Sequence, residues 1–157
     1  MVRVLLGYAT RAGSTAEVAE IIAEELRGRG CDVVVRNLRD DPTPEGYDRY
    51  VLGSAVQNMT WLPESLTWLK DHGQRVGQAA LFSVSMTAVD PAKSEAALGC
   101  NKAAAELVEV TSQAAFAGRY VPDKVNFLKR LLFRVLAKKP GDHVDPDAIR
   151  TWARQLP

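Results

Sequence analysis

Tyr8-Ala9-Thr10-Arg11-Ala12-Gly13-Ser14-Thr15-Ala16-Glu17-Val18-Ala19 is the stretch on which the fold turns. On its N-terminal side, Val2 to Tyr8 is short, apolar and β-branched, the pattern of a buried parallel strand. On its C-terminal side, Thr15 to Arg29 carries Val18, Ile21, Ile22 and Leu26 at helical spacing, and Gly28 and Gly30 end the run. A strand, a turn of small residues and a helix in that order bring free backbone N–H groups and the positive end of a helix dipole to one point. Gly13 permits close approach of the backbone, and the hydroxyls of Thr10, Ser14 and Thr15 add donors. A loop of this kind suits a phosphate. The competing reading is structural: Ser14 or Thr15 caps the helix, and Glu17 completes a capping box. Neither a Gly-Lys-Ser/Thr P-loop nor a G-x-G-x-x-G fingerprint is present, which argues against ATPase chemistry and the usual nicotinamide grip.

Outward from this loop the chain alternates. Cys31 to Val35 reads as a second strand, and Tyr50 to Gly53 ends a third. Pro63 opens a second helix, Ala79 to Val84 is a fourth strand, Ala92 to Val110 an alanine-rich third helix, and Ala114 to Tyr120 a fifth strand. Asp123 to Lys138 and Pro146 to Gln155 read as helices. The second and third strands need a crossover if they are parallel, so a short degenerate helix is expected between Asp40 and Gly46. Alternation of this kind predicts an α/β fold: a doubly wound, five-stranded parallel sheet in three layers. In such sheets ligands bind at the carboxyl ends of the strands, where the loop after the first strand lies.

At 157 residues, with 46% hydrophobic and 25% charged, the chain is expected to form one domain over 1–157. It lacks a membrane-spanning run and a signal-peptide pattern, and its two cysteines, Cys31 and Cys100, fit reduced structural thiols, so a cytoplasmic protein is expected. The net charge of +1 conceals a split. Residues 1–110 carry 11 Lys and Arg against 15 Asp and Glu, whereas residues 111–157 carry 9 against 4. Most of the excess lies between Pro122 and Pro140, with six Lys and Arg and one Asp. Val125, Leu128, Leu132 and Val135 share one helical stripe there, and Phe127, Leu131 and Phe133 widen it. A basic amphipathic helix over 123–139 can lie on an anionic membrane surface, placing the protein at the periphery of the cell membrane. It can equally cover the site and attract a carboxylate-bearing substrate, or pack on the sheet as an ordinary helix with a solvated basic face. Nucleic-acid binding is not expected from one basic helix on a near-neutral chain.

The strand and the loop Tyr8 to Ala19 resemble the phosphate loop and first helix of the flavodoxin family, and the element order matches over roughly residues 1–118. The resemblance implies a flavodoxin-like fold and FMN as cofactor, its phosphate on Thr10, Arg11, Ala12, Gly13, Ser14 and Thr15. The flavin ring would lie between the loops after the third and fourth strands. These supply Ser54, Ala55, Val56, Gln57, Asn58 and Trp61 on one side, and Ser83, Val84, Ser85 and Met86 on the other. Trp61 can stack on or edge the ring, or be a packing residue at a helix start; Trp68 is expected in the core.

Ala9-Thr10-Arg11, Phe82-Ser83-Val84-Ser85 and Ala117-Gly118-Arg119-Tyr120, followed by the basic stretch and the helix holding Trp152, together resemble the menaquinone-dependent protoporphyrinogen dehydrogenase family. Its members carry a basic insertion before the last helix, here about 119–144. That resemblance implies an oxidoreductase of haem biosynthesis: a protoporphyrinogen-like or other reduced substrate gives hydride to the flavin, and a quinone acceptor reoxidises it. Two alternatives stand beside it, an electron-transfer flavodoxin and a flavodoxin-like binding module without flavin. His72 reads as a surface residue near a helix end and His143 as a loop residue. A bound flavin would carry the redox chemistry, so no catalytic side chain is nominated, and no metal ligands are expected.

Overall fold

The computed structural model describes residues 1–11, 13–118 and 143–156. Among these residues, the chain builds β1 (Arg3–Ala9), α1 (Ser14–Gly28), β2 (Asp32–Asn37), β3 (Arg49–Gln57), β4 (Thr60–Trp61), α2 (Pro63–Val76), β5 (Gln78–Ser85), α3 (Ser94–Gly99), α4 (Lys102–Ala105), β6 (Glu109–Ala117) and α5 (Pro146–Arg154). Five strands are parallel in the order β2-β1-β3-β5-β6, and the two-residue β4 pairs antiparallel with β3 at its end. This is the expected doubly wound α/β sheet, with one short strand more than the sequence suggested. The basic stretch 123–139 falls outside the described residues.

Strand side chains alternate between two cores. Val4, Leu6, Val51, Ala80, Phe82 and Val84 face one side, where Val18, Ala19, Ile22, Ala23 and Leu26 form the buried stripe of α1. Ile149, Trp152, Ala153 and Leu156 of the C-terminal segment join them. Leu5, Leu52, Ala79 and Leu81 face the other side, against Trp68, Leu69 and Val76 of α2 and Ala104 of α4. Trp152 packs edge-on to Phe82 and Phe116, with ring centroids 6.2 and 5.7 Å away, and its indole donates to Ser112 Oγ at 3.1 Å.

Three elements differ from expectation. The degenerate crossover helix is a single 3-10 turn at Leu38–Asp40, earlier than predicted. Leu38 is buried against the α2 side of the sheet, and the following loop is pinned by Trp68, whose indole donates to Pro42 O at 2.9 Å. The expected helix 92–110 does not run through. Two 3-10 turns, Thr87–Val89 and Pro91–Lys93, lead into the short helices α3 and α4, which are separated at Cys100 and Asn101. Gly99 is a weak helix former, and Asn101 turns its amide into the core. The last strand begins at Glu109, not Ala114, and an irregularity between Ala79 and Ala80 in its pairing with β5 skips Thr111. This extra residue changes the face: Val110 packs with the α2 side, while Ala114 and Phe116 pack with the α1 side.

Candidate functional site

Three loops and one glycine meet at the carboxyl ends of β1, β3, β5 and β6. In the first loop, Thr10 Oγ1 accepts the Gly13 N–H at 2.9 Å. Gly13 takes φ 90°, a left-handed conformation that glycine adopts without strain, and it stands immediately before α1. Among the described residues no side chain caps this helix. The Ser14 or Thr15 cap weighed from the sequence is therefore not formed: both residues lie inside the first turn, 8% and 0% exposed. The leading N–H groups of a 15-residue helix have no intrahelical acceptors and get no side-chain cap here. Thr15 Oγ1 is buried without a hydrogen-bond partner among the described residues, an unusual state for a buried hydroxyl. An open helix N-terminus beside an unsatisfied hydroxyl fits the phosphate of a nucleotide-like cofactor. Ala12 lies outside the described residues.

Arg11 reaches across the mouth of the site. Its guanidinium makes a two-pronged ion pair with Glu64 in the first turn of α2, with Arg11 Nη1 on Oε1 and Nη2 on Oε2 at 3.1 Å. Its hydrogen bonds hold the Glu64 carboxyl below the usual carboxylate range and raise the Arg11 pKa in return. The Arg11 side chain is 54% exposed and that of Glu64 20%. Sequence reasoning missed Glu64; the available signal was an acidic residue directly after the helix-opening Pro63.

The second loop is a hairpin. Ser54 to Gln57 continue β3, and Val56 and Gln57 pair with Trp61 and Thr60. Asn58 and Met59 form the two-residue turn with φ 54° and 60°. Asn tolerates this region, whereas Met costs about 1 kcal/mol there. The Met59 side chain is half exposed, and Thr87 Oγ1 lies 3.6 Å from its sulfur, so the hairpin tip touches the turn after β5. Gln57 and Asn58 are exposed, and Ala55 and Val56 half-buried.

Two residues expected to meet a ligand through this loop turn inward instead. Ser54 is fully buried: its Oγ accepts the Leu62 N–H at 3.0 Å, lies 3.1 Å from Ser65 Oγ and donates to Ala55 O, tying the hairpin to α2. Trp61 is 1% exposed in the α2-side core and its indole donates to Asn101 Oδ1 at 2.8 Å. It presents no face for stacking; the packing alternative holds. Trp68 is in the core, as expected.

In the third loop, the side chains of Ser83 and Val84 are likewise buried. Ser85 Oγ accepts the Ala88 N–H at 3.3 Å, and Met86 is 41% exposed. Gly118 closes the ring of loops: it donates to Ser85 O and accepts from His143 N–H, both at 3.2 Å. A Cβ on Gly118 would come within 3.2 Å of Ser14 Oγ and 2.9 Å of Val84 Cγ1. The structure thus brings Arg11, Gly13, Ser14, Gln57, Asn58, Ser85 and Met86 to one end of the sheet and adds Glu64, Met59 and Gly118.

His72 lies outside this site. It is largely buried in α2, 2.8 Å from Asp41 Oδ1 and tilted at 52° against the Trp68 ring, so it secures the crossover loop. Cys31 and Cys100 are both free; burial pushes the Cys100 thiol up. No metal-binding cluster occurs among the described residues, and none of their helices is long and apolar enough to cross a membrane.

Residues 5–147 match the model of the family described as Flavodoxin domain. Among curated proteins, protoporphyrinogen IX dehydrogenase [quinone] of Escherichia coli strain K12 is 30% identical over 95 residues, 58% of this chain. The protein of the same name from strain O157:H7 matches to the same extent. The match covers 52% of those proteins, so the chain spans about half the length of the curated relatives it matches. Among solved structures, a short-chain flavodoxin associated with a PDU bacterial microcompartment superposes with a TM-score of 0.64 at 12% identity, covering 98% of this chain and 95% of that one. A Fusobacterium nucleatum flavodoxin mutant bound to flavin mononucleotide gives 0.61 at 15% identity, covering 98% and 94%. A flavoprotein from Lactobacillus acidophilus in complex with FMN gives 0.56 at 18%, covering 73% and 93%. These likenesses establish the fold.

Proposed function

The chain belongs to the flavodoxin-domain family, and from that premise we propose that it binds FMN and acts as an oxidoreductase of the protoporphyrinogen dehydrogenase kind. The observation that carries the cofactor is the start of α1: an uncapped helix N-terminus with the Thr15 hydroxyl buried and unpartnered beside it. The FMN phosphate would rest on Gly13, Ser14 and Thr15, with Thr10 fixing the loop through Gly13. Gln57, Asn58, Met59 and Met86 would border the ring. Bound FMN supplies the electron acceptor; the chain supplies binding, orientation and electrostatics.

Two things support a dehydrogenase over a carrier: the likeness to the E. coli quinone-linked enzymes, and the split of charge. A basic C-terminal third suits a carboxylate-bearing porphyrinogen, or the anionic membrane surface where quinones reside, better than it suits an acidic electron carrier. The carrier is the second reading, favoured by the flavodoxins among the structural neighbours.

The purified protein is expected to retain or take up FMN, seen as a flavin visible spectrum. Protoporphyrinogen should bleach it and a menaquinone analogue restore it. A protein that binds no FMN would overturn both redox readings. FMN binding with indifference to both substrates, but fast exchange with a redox protein, would replace the dehydrogenase by the carrier.

A further inference from the structure

Between Thr10 and Thr15 the sequence holds one cation, Arg11. In the structure its two terminal nitrogens are both engaged by the carboxylate of Glu64. Glu64 sits in the first turn of α2, where the helix dipole favours its negative charge as well. It is the more buried partner, 20% exposed against 54% for Arg11. The carboxylate is thus a fixed anion at the rim of the loop, and the guanidinium of Arg11 is already neutralised. A phosphate arriving there meets backbone dipoles, hydroxyls and a net side-chain charge of zero from the pair.

We infer that Glu64 is a specificity-determining residue that acts through Arg11: by holding the guanidinium it sets how strongly the site prefers a phosphorylated flavin over an uncharged flavin with the same ring. The inference rests on the proposed flavin binding. Replacing Glu64 by a neutral isostere leaves an unmatched positive charge beside the phosphate position. Removing the charge of Arg11 instead leaves an unmatched negative charge there. The two substitutions therefore move phosphate affinity in opposite directions, and removing both restores neutrality. The scale follows from one unit charge acting on a dianion about 8 Å away in water at low salt, about fivefold in each direction and less in saline.

The test is equilibrium titration of the purified chain with FMN and with riboflavin, for the wild type, Glu64→Gln, Arg11→Gln and the double variant, at low and moderate salt. Glu64→Gln is expected to raise the FMN-to-riboflavin affinity ratio about fivefold and to steepen its salt dependence. Arg11→Gln is expected to lower the ratio about fivefold, and the double variant to return near the wild-type ratio. A pair that serves only to latch the loop onto α2 would behave otherwise: both single variants would weaken FMN and riboflavin together, leaving the ratio unchanged, and that result overturns the inference. Should one single variant fail to fold, the other and the double variant still fix the sign. A wild type that binds riboflavin and FMN equally overturns the inference but leaves flavin binding standing. A wild type that binds neither overturns the proposed function and this inference with it.

Discussion

Asn101 shows what one side chain decides. It is fully buried, its carbonyl oxygen takes the Trp61 indole N–H, and its amide nitrogen donates to Ala114 O at 3.2 Å. One amide therefore joins the hairpin before α2 to the last strand of the sheet. In the sequence it stands beside Lys102 in an alanine-rich run, and nothing local marks it as buried. Glu64 follows the helix-opening Pro63, but its partner is 53 residues away. Polar partnerships of this sort are set by the fold, so the pattern around either residue does not contain them. Trp61 can be read from the sequence as a ring contact or as a packing residue for the same reason: an indole needs an acceptor when buried, and the acceptor lies forty residues on. Asn101→Ala would leave the indole N–H and a strand carbonyl without partners. It is expected to destabilise the protein by about 2–3 kcal/mol, measured by urea unfolding followed through tryptophan emission.

Elements were legible where their periodicity was simple. The first four parallel strands each hold an apolar run between turns, and α1 carries an uninterrupted stripe, so their existence follows from residue type alone. Boundaries failed where one element hands over to another. Ser54 to Gln57 read as loop because the residues are small and polar, yet they extend β3 by pairing with β4 and β5. The alanine run from 92 promised a helix, since alanine favours helix strongly, but the demands of Asn101 and of the long edge strand β6 divided it. A close approach between two strands gives this scale its test. Gly53 of β3 lies beneath the ring of Phe82 in β5, and a Cβ there would fall inside the ring's van der Waals surface. Gly53→Ala is expected to cost about 3 kcal/mol or more through forced displacement of Phe82. Gly28→Ala meets nothing within 4 Å at the end of α1 and should be neutral or slightly stabilising. Thermal unfolding of the two variants side by side checks the contrast.

For the molecule as a whole, the sequence disclosed the layered α/β plan and the end of the sheet that carries the site, because both follow from alternation and from the position of one loop. It did not disclose which residues of the loops face outward. Ser54, Ser83 and Val84 belong to the core and Met59 to the rim, and only the assembled sheet separates them. One bond described above bears on how the molecule is put together. Gly118 and His143 hydrogen-bond to each other, so the last described residue before 119 and the first after 142 stand side by side, next to Ser14. That point is a splice junction. The gap between the two residues is short enough for a turn of about two to four residues to replace 119–142. The excised chain is expected to unfold in a single cooperative transition with Trp152 still in its aromatic cluster, as read by near-UV circular dichroism. Loss of that signal would mean that the segment is part of the core. Retention would show that β6 and α5 keep their places when residues 118 and 143 are joined directly, so that the two ends of the described body form one continuous seam.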